Sequence, residues 1–273
     1  AGDPTAIGQG ALATMGSGVE NVAVGQLSFT TLLNNSHNTG IGSYSGWKTT
    51  GSRNTMLGNR AGIYASTTDD CIAIGKNALA GTSIAAVTGN FNIAIGNYAL
   101  DATTSGASNI AIGHEAGTAL TTAAGAVAIG HEALETEDTS GTVVAIGYRA
   151  LQDQNVSNSQ NVAVGHSAGL NLITGTNSVY MGYEAGGTGV ITGNLNVAVG
   201  SNAAENATAM SYSVFVGPNA GGGTGPNVAA GNTCMGSGAG YAITSGASNV
   251  LIGRIAGYDL TEGPGNILIG KSA

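Results

Sequence analysis

Apolar and polar positions along this chain follow one short unit, Asn-[Val/Ile]-Ala-[Val/Ile]-Gly-x-x-Ala-[Gly/Leu], which recurs sixteen times. Ten of the fifteen spacings between its anchoring glycines are 17 residues, and the others are 16, 18, 19 or 21. A short fixed period is typical of a stacked solenoid and not of a globular domain with a single cleft. The anchoring glycines are Gly8, Gly25, Gly42, Gly58, Gly75, Gly96, Gly113, Gly130, Gly147, Gly165, Gly182, Gly200, Gly217, Gly236, Gly253 and Gly270.

With the anchoring glycine as position zero, positions −3 and −1 are apolar or β-branched in all sixteen copies. Alternation of this kind predicts a short strand that the glycine ends. We predict an all-β parallel β-solenoid of about sixteen coils of ~17 residues, forming a single repeat domain over residues 1–273. Position +3 is Ala in fourteen copies, and position +4 is mostly Leu, Phe or Gly, which favours a second short strand after the glycine.

Side chains at −3 and −1 share one face of the strand, and the side chain at −2 points the other way. We assign −3 and −1 to the inside of the coil, so that the Ala common at −2 faces outward. A small outward residue indicates close approach of another backbone, as at a subunit interface, although a broader monomeric solenoid with strands apolar on both faces would also explain it. The predicted interface residues are Ala94, Ala111, Ala128, Ala145, Ala163 and Ala198.

Position −4 is Asn in ten copies. Stacked, identical amide side chains can form hydrogen-bonded ladders, so we interpret these residues as a structural ladder and not as ligand-binding groups. They are Asn21, Asn38, Asn54, Asn92, Asn109, Asn161, Asn196, Asn232, Asn249 and Asn266.

Composition narrows the function classes. The formal net charge of −8, with seven basic residues in no evident patch, argues against nucleic acid as a partner. No segment is long and apolar enough to predict membrane insertion. Cys71 and Cys234 would lie nine coils apart, roughly 43 Å in a regular stack, too far for a disulfide, and we expect both to be buried.

Candidate chemistry is sparse. His114, His131 and His166 share position +1, and the first two are followed by Glu115 and Glu132. A metal-binding or pH-sensitive belt is one interpretation, and a solvated ladder with weak ion pairs is the favoured one. The glycine run 221–225 lacks the Lys-[Ser/Thr] ending of a phosphate-binding loop. We expect no catalytic site, no metal and no cofactor.

Recognition is predicted where the period breaks. The spacing of 21 residues after Gly75 places an insertion at 82–88, and the spacing of 19 after Gly217 contains the glycine run. Insertions in solenoids form loops on one face, often the binding face. Exposed apolar or aromatic side chains there or at the coil corners could contact a sugar or another partner, although packing on the next coil is an alternative for each aromatic. The candidates are Ile84, Val87, Trp47, Tyr148 and Tyr183.

The units 92–96 and 161–165, with their fellows along the whole chain, resemble the YadA-like head of trimeric autotransporter adhesins. Similar units, often with the Thr-Thr-Gly spacer seen here at 49–51, occur in phage tail-fibre proteins that end in an endosialidase-type chaperone. The resemblance implies a left-handed parallel β-roll, assembled as a homotrimer and serving attachment. The adhesin repeat is shorter, and no coiled-coil stalk, membrane anchor or chaperone follows here, so a fibre is favoured over an anchored adhesin unless the sequence is a fragment.

The leading hypothesis is therefore a structural or adhesive fibre domain, a rigid trimeric β-roll that acts as a spacer or attachment surface on a phage tail fibre or cell exterior. Its expected location is extracellular, on a virion or on a cell surface, and its expected partners are its own copies and an unidentified cell-surface or glycan receptor. A subunit of a self-assembling extracellular filament is the alternative. An ice- or crystal-surface binder is less favoured because the loops are irregular, and an enzyme lacks a supporting constellation.

Overall fold

The computed structural model describes residues 3–136, 142–156, 159–223 and 225–273. These residues form sixteen strands of three residues each, one in every repeat. The strands are β1 Thr5–Ile7, β2 Val22–Val24, β3 Thr39–Ile41, β4 Thr55–Leu57, β5 Ile72–Ile74, β6 Ile93–Ile95, β7 Ile110–Ile112, β8 Val127–Ile129, β9 Val144–Ile146, β10 Val162–Val164, β11 Val179–Met181, β12 Val197–Val199, β13 Val214–Val216, β14 Thr233–Met235, β15 Val250–Ile252 and β16 Ile267–Ile269.

The chain divides into two compact units, Ala1–Gly141 and Thr142–Ala273. In the first unit, neighbouring strands pair in parallel in chain order from β1 to β8. In the second unit, neighbouring strands pair in the same way from β9 to β16. The register joins equivalent positions, as where Ala94 of β6 pairs with Ala111 of β7. The predicted all-β parallel solenoid of about sixteen coils is thereby confirmed. No helix in the described ranges is long and apolar enough to cross a membrane.

The two faces of the strands are the reverse of our assignment. The side chain at −2 lies inside the coil, and those at −3 and −1 lie outside, as in β6, where Ala94 is fully buried and Ile93 and Ile95 are only half-buried. A methyl group with no exposed area in the isolated chain cannot line a subunit interface. The predicted interface role is therefore wrong for all six alanines, each of which is fully buried: Ala94, Ala111, Ala128, Ala145, Ala163 and Ala198.

The residue at −2 is Ala in most coils but large in some, such as Met56 and Phe215, and packing in the interior explains this variation. Where the residue at −2 is large, the residue at +4 of the same coil is glycine, because side chains at these two positions would occupy the same space. For example, a Cβ built on Gly62 would lie 2.4 Å from Met56 Sδ. At Gly221 it would lie 2.2 Å from the ring of Phe215. Where −2 is Ala, as at Ala73, a Leu such as Leu79 commonly occupies +4. In these coils the interior volume is thus kept by exchange between two positions.

The second strand predicted after the glycine is absent from the described residues, which form a turn there instead. The reason is backbone conformation: positions +2 and +4 have positive φ, 62° at Tyr98 and 51° at Leu100, which a strand does not accommodate. Burial of Leu100 and hydrogen bonds to the neighbouring coils, such as Leu100 N–H to Ala116 C=O at 3.1 Å, offset that strain.

The anchoring glycine sets the spacing between coils. Gly96 has φ +134°, and a Cβ built on it would lie 2.2 Å from the carbonyl oxygen of Gly113 in the next coil. Its N–H donates to Ile74 C=O of the preceding coil at 2.7 Å. A side chain at this position would push adjacent coils apart and would also require a φ that favours glycine.

The asparagines at −4 lie at the entrance to each strand, nine of them fully buried and Asn266 half-buried. Asn109 is typical: its Nδ2 donates to Ala123 C=O at 2.8 Å, and its Oδ1 accepts from Ala126 N–H at 2.9 Å. Eight of the ten amides join the loop and the strand entrance of the following coil in this way, whereas Asn249 and Asn266 donate to the amide oxygen of the preceding asparagine. Ser178 takes over the acceptor role where Asn is missing, accepting from Asn196 N–H at 3.0 Å.

Both cysteines are buried and unbridged. Cys71 replaces Asn at −4, and its Sγ accepts from Asn92 N–H at 3.4 Å. Burial raises the pKa of the Cys71 thiol to about 11 and that of Cys234 to about 12. Both thiols are therefore protonated and unreactive at neutral pH.

The exchange of volume inside the coil predicts strong coupling between Met56 and Gly62. Met56→Ala should cost about 2–5 kcal/mol through a cavity, and Gly62→Leu about 1–3 kcal/mol through overpacking. The double variant recreates the Ala73 and Leu79 pair of the next coil. We expect it to be more stable than the sum of the single effects by at least about 1 kcal/mol in denaturant titrations. Strict additivity would contradict the shared interior space.

Candidate functional site

Position +1 carries an exposed column of rings in both units. In the first unit, the rings of His114 and His131 stack with their centroids 5.1 Å apart. Each Nδ1 atom lies close to a carboxylate oxygen of the following glutamate, at 3.5 Å from Glu115 and 3.4 Å from Glu132. The described residues contain no group of three or more His, Cys, Asp or Glu placed to hold a metal ion. The two imidazoles stack at the surface beside half-buried carboxylates, and contacts of this kind contribute little to stability.

The aromatic candidates of the second unit lie in the same kind of column. His166 lies between Tyr148 and Tyr183, with centroid distances of 5.0 and 5.2 Å, and Arg149 lies 5.0 Å from the Tyr148 ring. The two tyrosines are 40% and 51% exposed. Each tyrosine stacks one ring face on His166, so that face is not open to a ligand.

The insertion at 82–88 separates its two predicted recognition residues. Ile84 is 97% exposed at the tip of the loop. Val87 is fully buried, contrary to the prediction that it is exposed, because the chain returns there to pair with the preceding coil. Val87 N–H donates to Tyr64 C=O at 2.9 Å, and Val87 C=O accepts from Ser66 N–H at 2.9 Å. Val87 therefore anchors the loop beside Tyr64.

A groove of about 320 Å³, here called the Lys48 groove, lies between this loop and the preceding coils. Two columns of the repeat form its floor and one wall, and the insertion forms the other wall. Position +6 contributes Thr31, Lys48 and Tyr64, position +8 contributes Thr50 and Ser66, and the loop contributes Thr82, Ser83 and Ala86.

Aromatic rings hold the cation of the Lys48 groove. Lys48 Nζ lies 4.8 Å from the Trp47 ring centroid and 5.3 Å from that of Tyr64. Trp47 packs edge-on against Tyr44 and Tyr64, with centroids 5.9 and 6.2 Å away. The predicted candidate Trp47 thus supports the groove through Lys48 without lining it.

A second pocket of about 200 Å³, here called the Arg60 pocket, adjoins the first, since Tyr64 lines both. Its polar lining groups are Arg60, Asn77 and Asp101. Burial, and to a lesser extent the negative charge of Glu115, raise the pKa of the Asp101 carboxyl to about 6, and backbone N–H groups partly oppose the shift. Sequence reasoning missed this site because it depends on residues about one coil apart in sequence that meet only when the coils stack.

The other period break contributes little that can be described. In the glycine run at 221–225, Thr224 lies outside the described residues, and Gly221, Gly222 and Gly223 are buried. A larger cleft of about 420 Å³ lies at the coil of β16 and is lined by Leu268, Tyr258 and Leu260 among others. The Lys48 groove and the Arg60 pocket are therefore the candidate site.

Compared with models of known protein families, the chain matches none, and it has no significant match among curated proteins.

The half-buried Asp101 predicts a pH-dependent stability. Its pKa rises from 3.8 to about 6 on folding, so the folded chain binds more protons in that window, and stability falls as the pH rises through it. Asp101→Asn should remove this loss of stability. We expect the denaturant midpoint of the variant to exceed that of wild type at pH 7 but not at pH 4.

Asp70→Asn is the control of opposite sign, because the hydrogen bond from Arg53 lowers the pKa of Asp70. That variant should gain nothing at pH 7 and lose slightly. Equal midpoints for wild type and Asp101→Asn at both pH values would contradict the shifted carboxyl.

Proposed function

We propose that this chain is a structural fibre domain that self-associates, as a homotrimer, through the outer face of its strands and serves as a spacer or attachment surface outside the cell. The observation that carries the proposal is the outward row of Val, Ile, Leu, Met and Thr at −3 and −1. Exposed contiguous apolar surface of this extent is typical of an interaction site.

The row is open in the isolated chain. Ile41, Ile112, Met181 and Met235, all at −1, are 47%, 36%, 41% and 42% exposed. No charged residue occupies −3 or −1 in any of the sixteen copies. Burying this face would add hydrophobic free energy to that of the small coil interior.

Further copies of the same chain are the favoured occupants. The row repeats with every coil in a fixed strand register, so parallel copies can match it coil by coil within each unit. Three copies are favoured over two by the resemblance of the repeat to the trimeric adhesin head and to phage tail fibres. A role on a tail fibre or a cell exterior has the same support.

Charge on the outer face should dissociate the assembly. Ile95 and Ile112 pair in register on adjacent strands, and both are at least partly exposed, so Ile95→Lys with Ile112→Lys should leave the monomer folded. We expect sedimentation velocity to give three chains for wild type and one for the double variant, with unchanged β-sheet circular dichroism. Ser105→Lys, on an exposed loop, controls for added charge and should remain trimeric.

A wild-type monomer would contradict the proposed self-association. A wild-type species that grows with concentration without limit would favour the filament over the closed trimer.

A further inference from the structure

The Lys48 groove presents a cation with no carboxylate partner. Within the described ranges, no Asp or Glu lies within ion-pair distance of Lys48 or Arg60, although the chain has 15 acidic and seven basic residues. Trp47 and Tyr64 hold the Lys48 ammonium from their ring faces, so its position is largely set before any ligand arrives. A preorganised, unpaired cation favours an anionic group on the ligand.

Hydroxyl groups line the same groove. Thr50 Oγ1 donates to Ser66 C=O at 2.8 Å and Thr31 Oγ1 donates to Trp47 C=O at 3.2 Å, which leaves their lone pairs free to accept. The Ser66 and Ser83 hydroxyls make no hydrogen bond to other described residues and remain able to donate and accept. The groove therefore offers both donors and acceptors at close spacing, as a polyhydroxylated ligand requires.

The site continues past Tyr64. On its other side, the Arg60 pocket adds a guanidinium, the Asn77 amide and the Asp101 carboxyl, groups that suit hydroxyl recognition. The volumes are about 320 and 200 Å³, so together the two openings fall within the usual range of small-molecule sites, ~300–1,000 Å³. An extended ligand with several polar rings matches this arrangement better than a single compact one.

We propose that the Lys48 groove and the Arg60 pocket form two adjoining subsites for an oligosaccharide that carries a carboxylate or sulfate group. Lys48 binds the anionic group, the hydroxyls of Ser66 and Ser83 bind sugar hydroxyls, and Arg60 and Asn77 bind the next sugar across Tyr64. The inference deepens the proposed attachment function and rests on it. A long nucleic acid is disfavoured as the ligand by the net charge of −8.

Binding is tested on the full chain by NMR titration with sialyllactose, trisialic acid, tetragalacturonic acid and a chondroitin sulfate tetrasaccharide. Lactose and maltotetraose are the neutral comparators, and a thymidine octanucleotide tests nucleic acid. We expect at least one anionic saccharide to bind with Kd below about 1 mM and at least tenfold more tightly than the neutral sugars. The carboxylated and sulfated probes identify which anion is preferred.

Lys48→Met keeps the aliphatic stem and removes the charge, so it should weaken binding at least tenfold. Lys76→Met is the matched control, because Lys76 also lies over a ring, 5.4 Å from Tyr98, but lines neither opening. It should bind like wild type. Arg60→Met should weaken binding of tetragalacturonic acid and leave that of its monosaccharide, galacturonic acid, unchanged if the subsites adjoin as proposed. Unchanged circular dichroism verifies folding of each exposed-site variant.

Four results would overturn the inference: equal binding of neutral and anionic sugars, no binding below about 10 mM, equal losses in Lys48→Met and Lys76→Met, or preference for the oligonucleotide. Sedimentation on the same samples separates the two proposals, since a trimer that binds no saccharide contradicts this inference alone, whereas a monomer contradicts the proposed assembly.

Discussion

Close approach between the anchoring glycine of one coil and the carbonyl of the next is the constraint on which the rest of this structure depends. Gly165 shows it in the second unit as Gly96 does in the first: its φ is +139°, and a Cβ there would lie 2.4 Å from the carbonyl oxygen of Gly182. The chain turns at this residue in every coil, so the strand ends after three residues. In-register pairing, the stacked turns and the asparagine ladder follow from keeping that spacing.

Much of the fold could be predicted because period and glycine placement report directly on stacking. The face assignment could not be obtained from alternation, since a period of two separates the faces without saying which one is inside. A decisive signal was present: Met56 and Phe215 at −2 each accompany a glycine at +4, as two side chains sharing one interior must. Reading that covariation within the chain would have placed −2 inside.

The candidate site was predicted only in part. The long spacing after Gly75 correctly predicted an exposed loop with Ile84 at its tip. Val87, however, is buried, because the loop returns there and forms a parallel β-bridge with Ala65. Lys48 and Tyr64 are unremarkable in the linear sequence. Both occupy position +6 in consecutive copies, so numbering every residue from its anchoring glycine brings them together. What such numbering cannot show is the cleft itself, which depends on how far the insertion stands from the coils.

Interior and exterior therefore have separate roles. The interior, with its exchanged volumes and buried amides, specifies one coil geometry, while the outer strand face and the corner columns remain exposed. In this arrangement a substitution in an exposed column alters the surface without changing the stack, and an insertion between strands adds a wall to a groove at little cost to the fold.

The most direct test of this account is Gly96→Ala, with Gly125→Ala as its control, followed by hydrogen exchange of the flanking coils. Both glycines have positive φ, +134° and +76°, but a Cβ at Gly125 meets nothing within 4 Å. The control should cost about 1–2 kcal/mol from backbone strain, whereas Gly96→Ala should cost about 3 kcal/mol or more and release protection in β6 and β7. Equal, small effects at the two positions would contradict the central role of the glycine stack.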